Sequence, residues 1–321
     1  MTRIGAAFFL SALIGCSQQS QPQKVLIPSS LDGSSQPALL YIPKQAETVE
    51  SPLLVHLHSW SAHYDSSDGL AVATEQARAR GWVFIAPEFR GPNNNPDAAA
   101  SKLAIQDVLD AVEFAAKRAK VDRRRIYLLG GSGGGHMALV MAAVAPRQWA
   151  AVSAWVPISD LAAWHSFSKQ KGARYAEMME SVCGGTPQQK PECYQQRSSL
   201  PRLVQAKGLR ISIETGIHDG HTGSVPVSQS LEAFNALAHA NGHSGKALAA
   251  RDIASITETE TIPSHLAKEV ESEEGRKCAI LFRRTAGPVR VTIFEGGHET
   301  DFATASHCLF KKLKKDFPDI V

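Results

Sequence analysis

Short apolar runs rich in β-branched residues alternate with longer stretches of helical periodicity, and that alternation limits the architectures open to the chain. The runs are "ALLYIP", "PLLVHLH", "GWVFIAPEF", "RIYLLG", "AAVSAWV", "LRISIETG" and "VRVTIFEG". Several are apolar almost without interruption, as strands buried on both faces must be. Between them, "AAASKLAIQDVLDAVEFAAKRAK" sets Leu103, Ile105, Val108, Leu109, Val112 and Phe114 mainly on one helical stripe. "PVSQSLEAFNALAHANG" runs from a proline to a glycine stop. "DFATASHCLFKKLKKDF" reads as a closing helix whose basic residues suit its C-terminal end. The alternation predicts an α/β fold, a mostly parallel sheet with helices on both faces. Residues about 160–206 carry Trp164, His165, Phe167 and Tyr175 without a strand, and are expected to form a small cap insertion. Residues about 244–280 are polar and charged and read as a surface excursion. No internal repeat and no Pro/Ser linker interrupts residues 25–321, so one domain is expected there.

The start of the chain reads differently. A basic Met1–Arg3 precedes "IGAAFFLSALIG", an apolar run too short to span a bilayer comfortably. It ends in "LIGCS", which resembles the lipobox of bacterial lipoproteins. That resemblance implies removal of residues 1–15, lipidation of Cys16 at the end of the 1–16 signal segment, and an exported protein facing the periplasm or cell exterior. An ordinary secretory signal is the other reading. Residues 17–24 look like a polar tether too poor in apolar groups to pack. Export makes disulfides persistent. Cys183 and Cys193 flank the turn-rich "GGTPQQKPE", leaving Cys278 and Cys308 as a second pair; four cysteines permit three pairings in all. With 43% hydrophobic and 20% charged residues the chain is ordinary globular material, and its net charge of +3, dispersed along the sequence, argues against nucleic-acid binding.

One run ends in "YLLGGSGGGHMAL", where five glycines surround Ser132 before a helical segment. A phosphate-binding P-loop needs a lysine directly before its Ser/Thr, and none stands near. A Rossmann fingerprint wants an acidic residue some 20 positions on, and Asp160 comes too late. Gly130-Gly131-Ser132-Gly133-Gly134 instead fits the G-x-S-x-G nucleophile elbow, in which small flanking residues let strand and helix approach. A serine hydroxyl needs a base, and the elbow's chain order places an acid and then a histidine after later strands. Asp219 follows "LRISIETG" and His298 follows "VRVTIFEG". In that arrangement His298 takes the proton while Asp219 fixes its tautomer. Gly133 N–H would be one oxyanion donor; the second is expected from "HSWS", Trp60 first and Ser59 second. His218, Asp219 and His221 also allow a metal reading, although three residues of one loop lack an evident fourth ligand. His136 reads as structural.

These residues resemble an α/β-hydrolase, and specifically the catalytic domain of the prolyl oligopeptidase family and its small esterase relatives. The likeness rests on "APEFRGPN", "QDVLDAVEFAA", "VDRRRIYLLGGSGGG", "RSSLPRL", "DGHTGSVPVSQS" and "EGGHE", and runs from about residue 37 onward. It implies an eight-stranded-type sheet, Ser132, Asp219 and His298 as triad, and neither metal nor organic cofactor. The match to the family's Val-Pro and Gln-Ser pairs is at Val225-Pro226 and Gln229-Ser230. Departures stand beside it. Only a few dozen residues precede the first core strand, so the β-propeller of the large peptidases is not expected. The oxyanion loop reads His-Ser-Trp, and the acid loop carries Gly220 to Ser224 before Val225. The expected activity is therefore that of a serine hydrolase, with small or carbohydrate-linked esters (acetyl or feruloyl type) ahead of short peptides, and a non-catalytic hydrolase-fold lipoprotein as the remaining reading. Trp164 is the expected substrate contact in the cap. Arg283 and Arg284 are candidates for a substrate carboxylate, or solvated residues of a hairpin.

Overall fold

The computed structural model describes residues 21–66, 69–267, 273 and 275–304. Nine strands form a single sheet: β1 (Gln23–Pro28), β2 (Ser35–Tyr41), β3 (Ser51–Leu57), β4 (Val83–Pro87), β5 (Val121–Gly131), β6 (Ala151–Trp155), β7 (Ile211–Gly216), β8 (Ile280–Ala286) and β9 (Val289–Phe294). Their order is β1-β2-β4-β3-β5-β6-β7-β9-β8. The strands from β4 to β9 in that order run parallel, while β1, β2 and β8 are antiparallel additions at the two edges. The helices are α1 (Leu70–Ala79), α2 (Lys102–Arg118), α3 (Gly133–Val144), α4 (Leu161–Gln170), α5 (Tyr175–Cys183), α6 (Pro191–Arg197), α7 (Val227–Ala240) and α8 (Ala250–Thr259).

The α/β architecture is as the alternation demands, and burial explains it. Every residue of β3 is buried, because both faces of the sheet are covered. Leu53, Val55 and Leu57 point into a core shared with α2, α3 and α7, while Leu54 joins Phe84, Tyr127 and Leu129 against Ala73 and Ala77 of α1. Ser101 caps α2 by accepting the Ala104 N–H at 3.0 Å. The sheet has one strand more than the eight-stranded type because β1 adds to the edge. As an edge strand it is mostly solvent-facing, and only Ile27 among its residues is buried. It begins at Gln23, so the tether expected over 17–24 gives up its last two residues to the sheet. Cys16 and the rest of the expected signal segment lie outside the described residues.

The far edge also departs from expectation. β8 pairs antiparallel with β9, and Arg283 on it is not a solvated hairpin residue: it donates to Glu273 Oε2 at 2.7 Å and to Thr292 Oγ1 at 3.1 Å. Beside it Glu214, buried in β7, receives Arg276 at 2.9 Å and Arg290 at 3.3 Å. A buried carboxylate is tolerated when guanidinium groups and hydroxyls satisfy its lone pairs, here with Ser212 and Thr292 as well. Residues 244–280 are thus more than a surface excursion, since α8 buries Ile253 and Ile256. The closing helix is described only to residue 304, and Cys308 lies outside the described residues. Cys278 is a free thiol among them. No helix of the described residues is long and apolar enough to cross a membrane.

Between β6 and β7 the chain leaves the sheet as α4, α5 and α6, the expected cap insertion over about 160–206. Asp160 starts it by capping α4, accepting the Ala162 and Ala163 N–H groups at 2.9 and 3.1 Å. Its own core joins Leu161, Trp164, Met179, Val182 and Tyr194 to Trp60 and Val225 of the main body. Gln229 of α7 holds the insertion's root: its Oε1 accepts the Ser159 and Asp160 N–H groups, both at 2.8 Å. The disulfide between Cys183 and Cys193 joins α5 to α6. Closing a loop of this length removes about 2–3 kcal/mol of chain entropy from the unfolded state. A Cys183→Ser/Cys193→Ser variant should lose about that much in urea denaturation, with a slightly larger m-value as the unfolded chain expands; no change in midpoint would mean the cap unfolds separately from the body.

Candidate active site

β5 delivers Ser132 at the carboxyl edge of the sheet, where crevices in parallel α/β folds collect their reactive groups. The serine sits at φ 57° and ψ −119°, a left-handed conformation that a side-chain-bearing residue adopts only when its surroundings impose it. Its N–H donates to Trp155 O at 2.9 Å, tying the turn to the end of β6. The turn closes because its neighbours lack side chains: a Cβ on Gly130 would lie 2.3 Å from Gly134 O, and one on Gly134 would lie 2.1 Å from Leu57 O.

The two partners arrive from loops after β7 and β9. His298 Nε2 is 2.8 Å from Ser132 Oγ, and His298 Nδ1 is 2.7 Å from Asp219 Oδ2. Asp219 is held in turn by the Val225 N–H, which donates to Oδ1 at 3.0 Å. The extra residues of the acid loop have a visible consequence here. Gly223 crosses the Asp219–His298 pair so closely that a Cβ on it would lie 2.3 Å from Asp219 Oδ1 and 2.6 Å from His298 Cβ. The Asp219 side chain is consequently sealed from solvent, whereas that of His298 remains 22% exposed.

The backbone of Trp60 reaches the site as expected. A Cβ on Gly133 would meet Trp60 N at 2.3 Å, so the Trp60 amide lies against Gly133, and neither residue's N–H donates to a protein acceptor among the described residues. Two N–H groups near a serine, one of them at the N-terminus of α3, are available as donors to a developing oxyanion. The Ser59 hydroxyl turns instead toward Gly131 O. The Trp60 ring packs edge-on against Trp164 at 4.8 Å.

A cleft of about 510 Å3 opens over this group, lined by Trp60, Ser132 and His298 together with Val156, Arg174 and Tyr175. Trp164, expected to touch substrate, does not reach it. Its indole N–H needs a buried acceptor and finds Ser224 O at 2.8 Å, which seats the ring behind Tyr175. Tyr175 takes the wall in its place. Nothing in the sequence distinguishes Arg174 or Val156 as cleft residues, because neither belongs to a motif and the cap's fold alone brings Arg174 there. Arg283 and Arg284 do not line the cleft.

The histidines of the acid loop turn away from Asp219. His218 binds Glu260 at 2.6 Å through Nδ1 and Glu295 at 2.7 Å through Nε2, and these two carboxylates raise its pKa. His221 Nε2 donates to Thr257 O at 2.7 Å. They thus serve as loop anchors, and among the described residues no group of three or more His, Cys, Asp or Glu is placed to hold a metal ion. His136 is structural: its Nδ1 donates to Ile158 O at 3.1 Å, and burial pushes its pKa down to about 4, so the ring is neutral.

The chain is similar to several known proteins. The pattern described as "Prolyl oligopeptidase family" matches residues 72–252. The uncharacterized peptidase YtmA of Bacillus subtilis (strain 168) is 30% identical over 141 residues, which cover 42% of this chain and 52% of that protein. The chain thus spans about half the length of this curated relative. Uncomplexed Pyrococcus horikoshii acylaminoacyl peptidase superposes with a TM-score of 0.61 at 16% identity, over 94% of this chain and 44% of that one. A puromycin-hydrolyzing peptidase of Mycobacterium tuberculosis gives 0.56 at 16% identity, over 90% and 37%. At such identities these structures speak to the fold alone.

Proposed function

The chain belongs to the prolyl oligopeptidase family, and from that premise we propose that it is a serine hydrolase working through an acyl-enzyme on Ser132. The observation that carries the reading is the continuous relay from Asp219 through His298 to Ser132, at 2.7 and 2.8 Å. His298 Nε2 takes the hydroxyl proton as Ser132 Oγ attacks the carbonyl carbon. Asp219 keeps the Nδ1–H tautomer in place and stabilises the imidazolium. The oxyanion that forms is received by the Gly133 and Trp60 N–H groups. His298 then gives its proton to the leaving group, and the same relay activates the water that hydrolyses the acyl-enzyme. No step calls on a metal or organic cofactor, and no nucleic-acid partner is part of the reading.

For the substrate we propose short peptides. YtmA is described as a peptidase, and the structural neighbours named above are peptidases too. Small esters, placed first on sequence grounds, are the second reading, supported by the open cleft of about 510 Å3. The Cys183–Cys193 bridge supports export, because such bonds persist in oxidising compartments. Lipid anchoring through Cys16 remains part of this proposal.

The test compares kcat/KM for an N-acyl amino-acid ethyl ester and its matched anilide, with fluorophosphonate labelling of the same preparation. Peptidase action predicts Ser132-directed labelling and anilide turnover; ester turnover with a negligible anilide rate would select the esterase reading. Absence of labelling together with absence of turnover on both substrates would remove the hydrolase assignment.

A further inference from the structure

Two full charges face the cleft that holds Ser132 and His298: Arg174, directly before α5, and Glu299, directly after His298. Glu299 is partly engaged, its Oε1 accepting the Gly297 N–H at 3.0 Å. Arg174 differs. It is exposed to solvent, and among the described residues its guanidinium has no hydrogen-bond, ion-pair or ring partner. Its backbone, by contrast, is fixed. Arg174 adopts φ −58° and ψ −13° at the start of α5, and the Met178 N–H donates to its carbonyl at 3.1 Å. The next residue, Tyr175, packs on Trp164 with ring centroids 5.0 Å apart. The cap thus holds a charged fork at the cleft without giving it a protein carboxylate to bind.

The direction of the reaction assigns the two charges to different parts of a substrate. His298 must reach the leaving group to protonate it, so the leaving group lies toward His298 and its neighbours Glu299 and Thr300. The acyl part then occupies the remainder, walled by Val156, Arg174 and Tyr175. A guanidinium presents a planar array of donors that matches a carboxylate in two parallel hydrogen bonds, and it stays charged at any working pH. Glu299 opposes a carboxylate on the leaving-group side by like charge.

From this we infer that Arg174 is a specificity residue that selects an acidic side chain, aspartate or glutamate, on the amino acid supplying the scissile carbonyl. The inference rests on the acyl-enzyme reading of the preceding section. Arg174 acts on substrate binding and takes no part in proton transfer.

The experiment uses four substrates, the N-acetyl-glutamate and N-acetyl-glutamine α-ethyl esters and the matching α-p-nitroanilides, so that either leaving-group preference gives a readable rate. Wild type is compared with Arg174→Gln and Arg174→Glu, and with Ser132→Ala as background. The quantity read is the glutamate-to-glutamine ratio of kcat/KM, which is independent of the fraction of active protein. Wild type should show a ratio of about 10 or more, typical of one charge-assisted pair. Arg174→Gln should bring it to about 1, Arg174→Glu should take it below 1, and about 0.5 M NaCl should compress the wild-type ratio because the group is exposed. Ser132-dependent turnover with a flat wild-type ratio overturns this inference and leaves the hydrolase reading standing, as does a preference that survives in Arg174→Gln. Absence of Ser132-dependent turnover on all four substrates overturns the hydrolase reading, and this inference falls with it.

Discussion

Ser132→Ala should lower kcat by roughly five to six orders of magnitude, the loss expected when the nucleophile of a triad is removed. The size follows from what the relay does as a unit. Without Oγ there is no acyl-enzyme, and only the amides of Gly133 and Trp60 and simple substrate binding continue to favour the transition state. Asp219→Asn tests the other end. An asparagine of the same shape can donate to His298 Nδ1 and so favour the wrong tautomer, which should cost about 10⁴-fold in kcat with little change in KM. The double variant should be no slower than Ser132→Ala alone, because residues that act together do not contribute additively. All three variants should melt within a few degrees of wild type, which separates lost chemistry from lost fold. Retention of more than about one percent of wild-type turnover by Ser132→Ala would mean that the relay in the cleft is not the catalytic one.

The second large effect is on stability. Gly134 lies in the first turn of α3 where the helix crosses β3, and a Cβ there would stand 2.1 Å from Leu57 O and 2.9 Å from His58 O. Those atoms are backbone, so no rotamer change relieves the clash. Gly134→Ala must push α3 away from β3 and with it the serine turn, since Gly134 O also packs against Gly130. Overpacking of this kind costs about 3 kcal/mol or more, although alanine is otherwise the better helix former by about 1 kcal/mol. The expected result is a markedly lower urea midpoint, and little labelling by a fluorophosphonate in the protein that remains folded. Gly172 makes a useful contrast: it has open space around it, and its φ of 64° means alanine there meets only local backbone strain. A Gly134→Ala protein of wild-type stability would show that helix and strand can separate at no cost, and would remove the steric account of the elbow.

Much of the fold and site is legible in the sequence, and the reasons are specific. Strands buried on both faces are near-continuously apolar, so β3, β4 and β6 announced themselves. β1 did not, because its apolar Val25, Leu26 and Ile27 directly follow a polar tether, and β8 did not, because Arg283 finds carboxylate and hydroxyl partners that a linear pattern does not record. Gln229 was legible as part of a motif, while its work, holding Ser159 and Asp160 at the root of the cap, became visible only in three dimensions.

The sequence by itself determined the alternating sheet, the glycine-walled serine, and the order in which an acid and a histidine follow it. Those features depend on local residue type, since a buried strand, a tight turn and a chain order are all written along the backbone. Only the tertiary structure decided that Trp164 is a buried brace outside the cleft, that Gly223 lies against Asp219, and that Arg174 reaches the cleft without a side-chain partner among the described residues. Each of these depends on packing between segments distant in sequence, where the neighbour that satisfies a polar group, or fails to, is chosen by the fold.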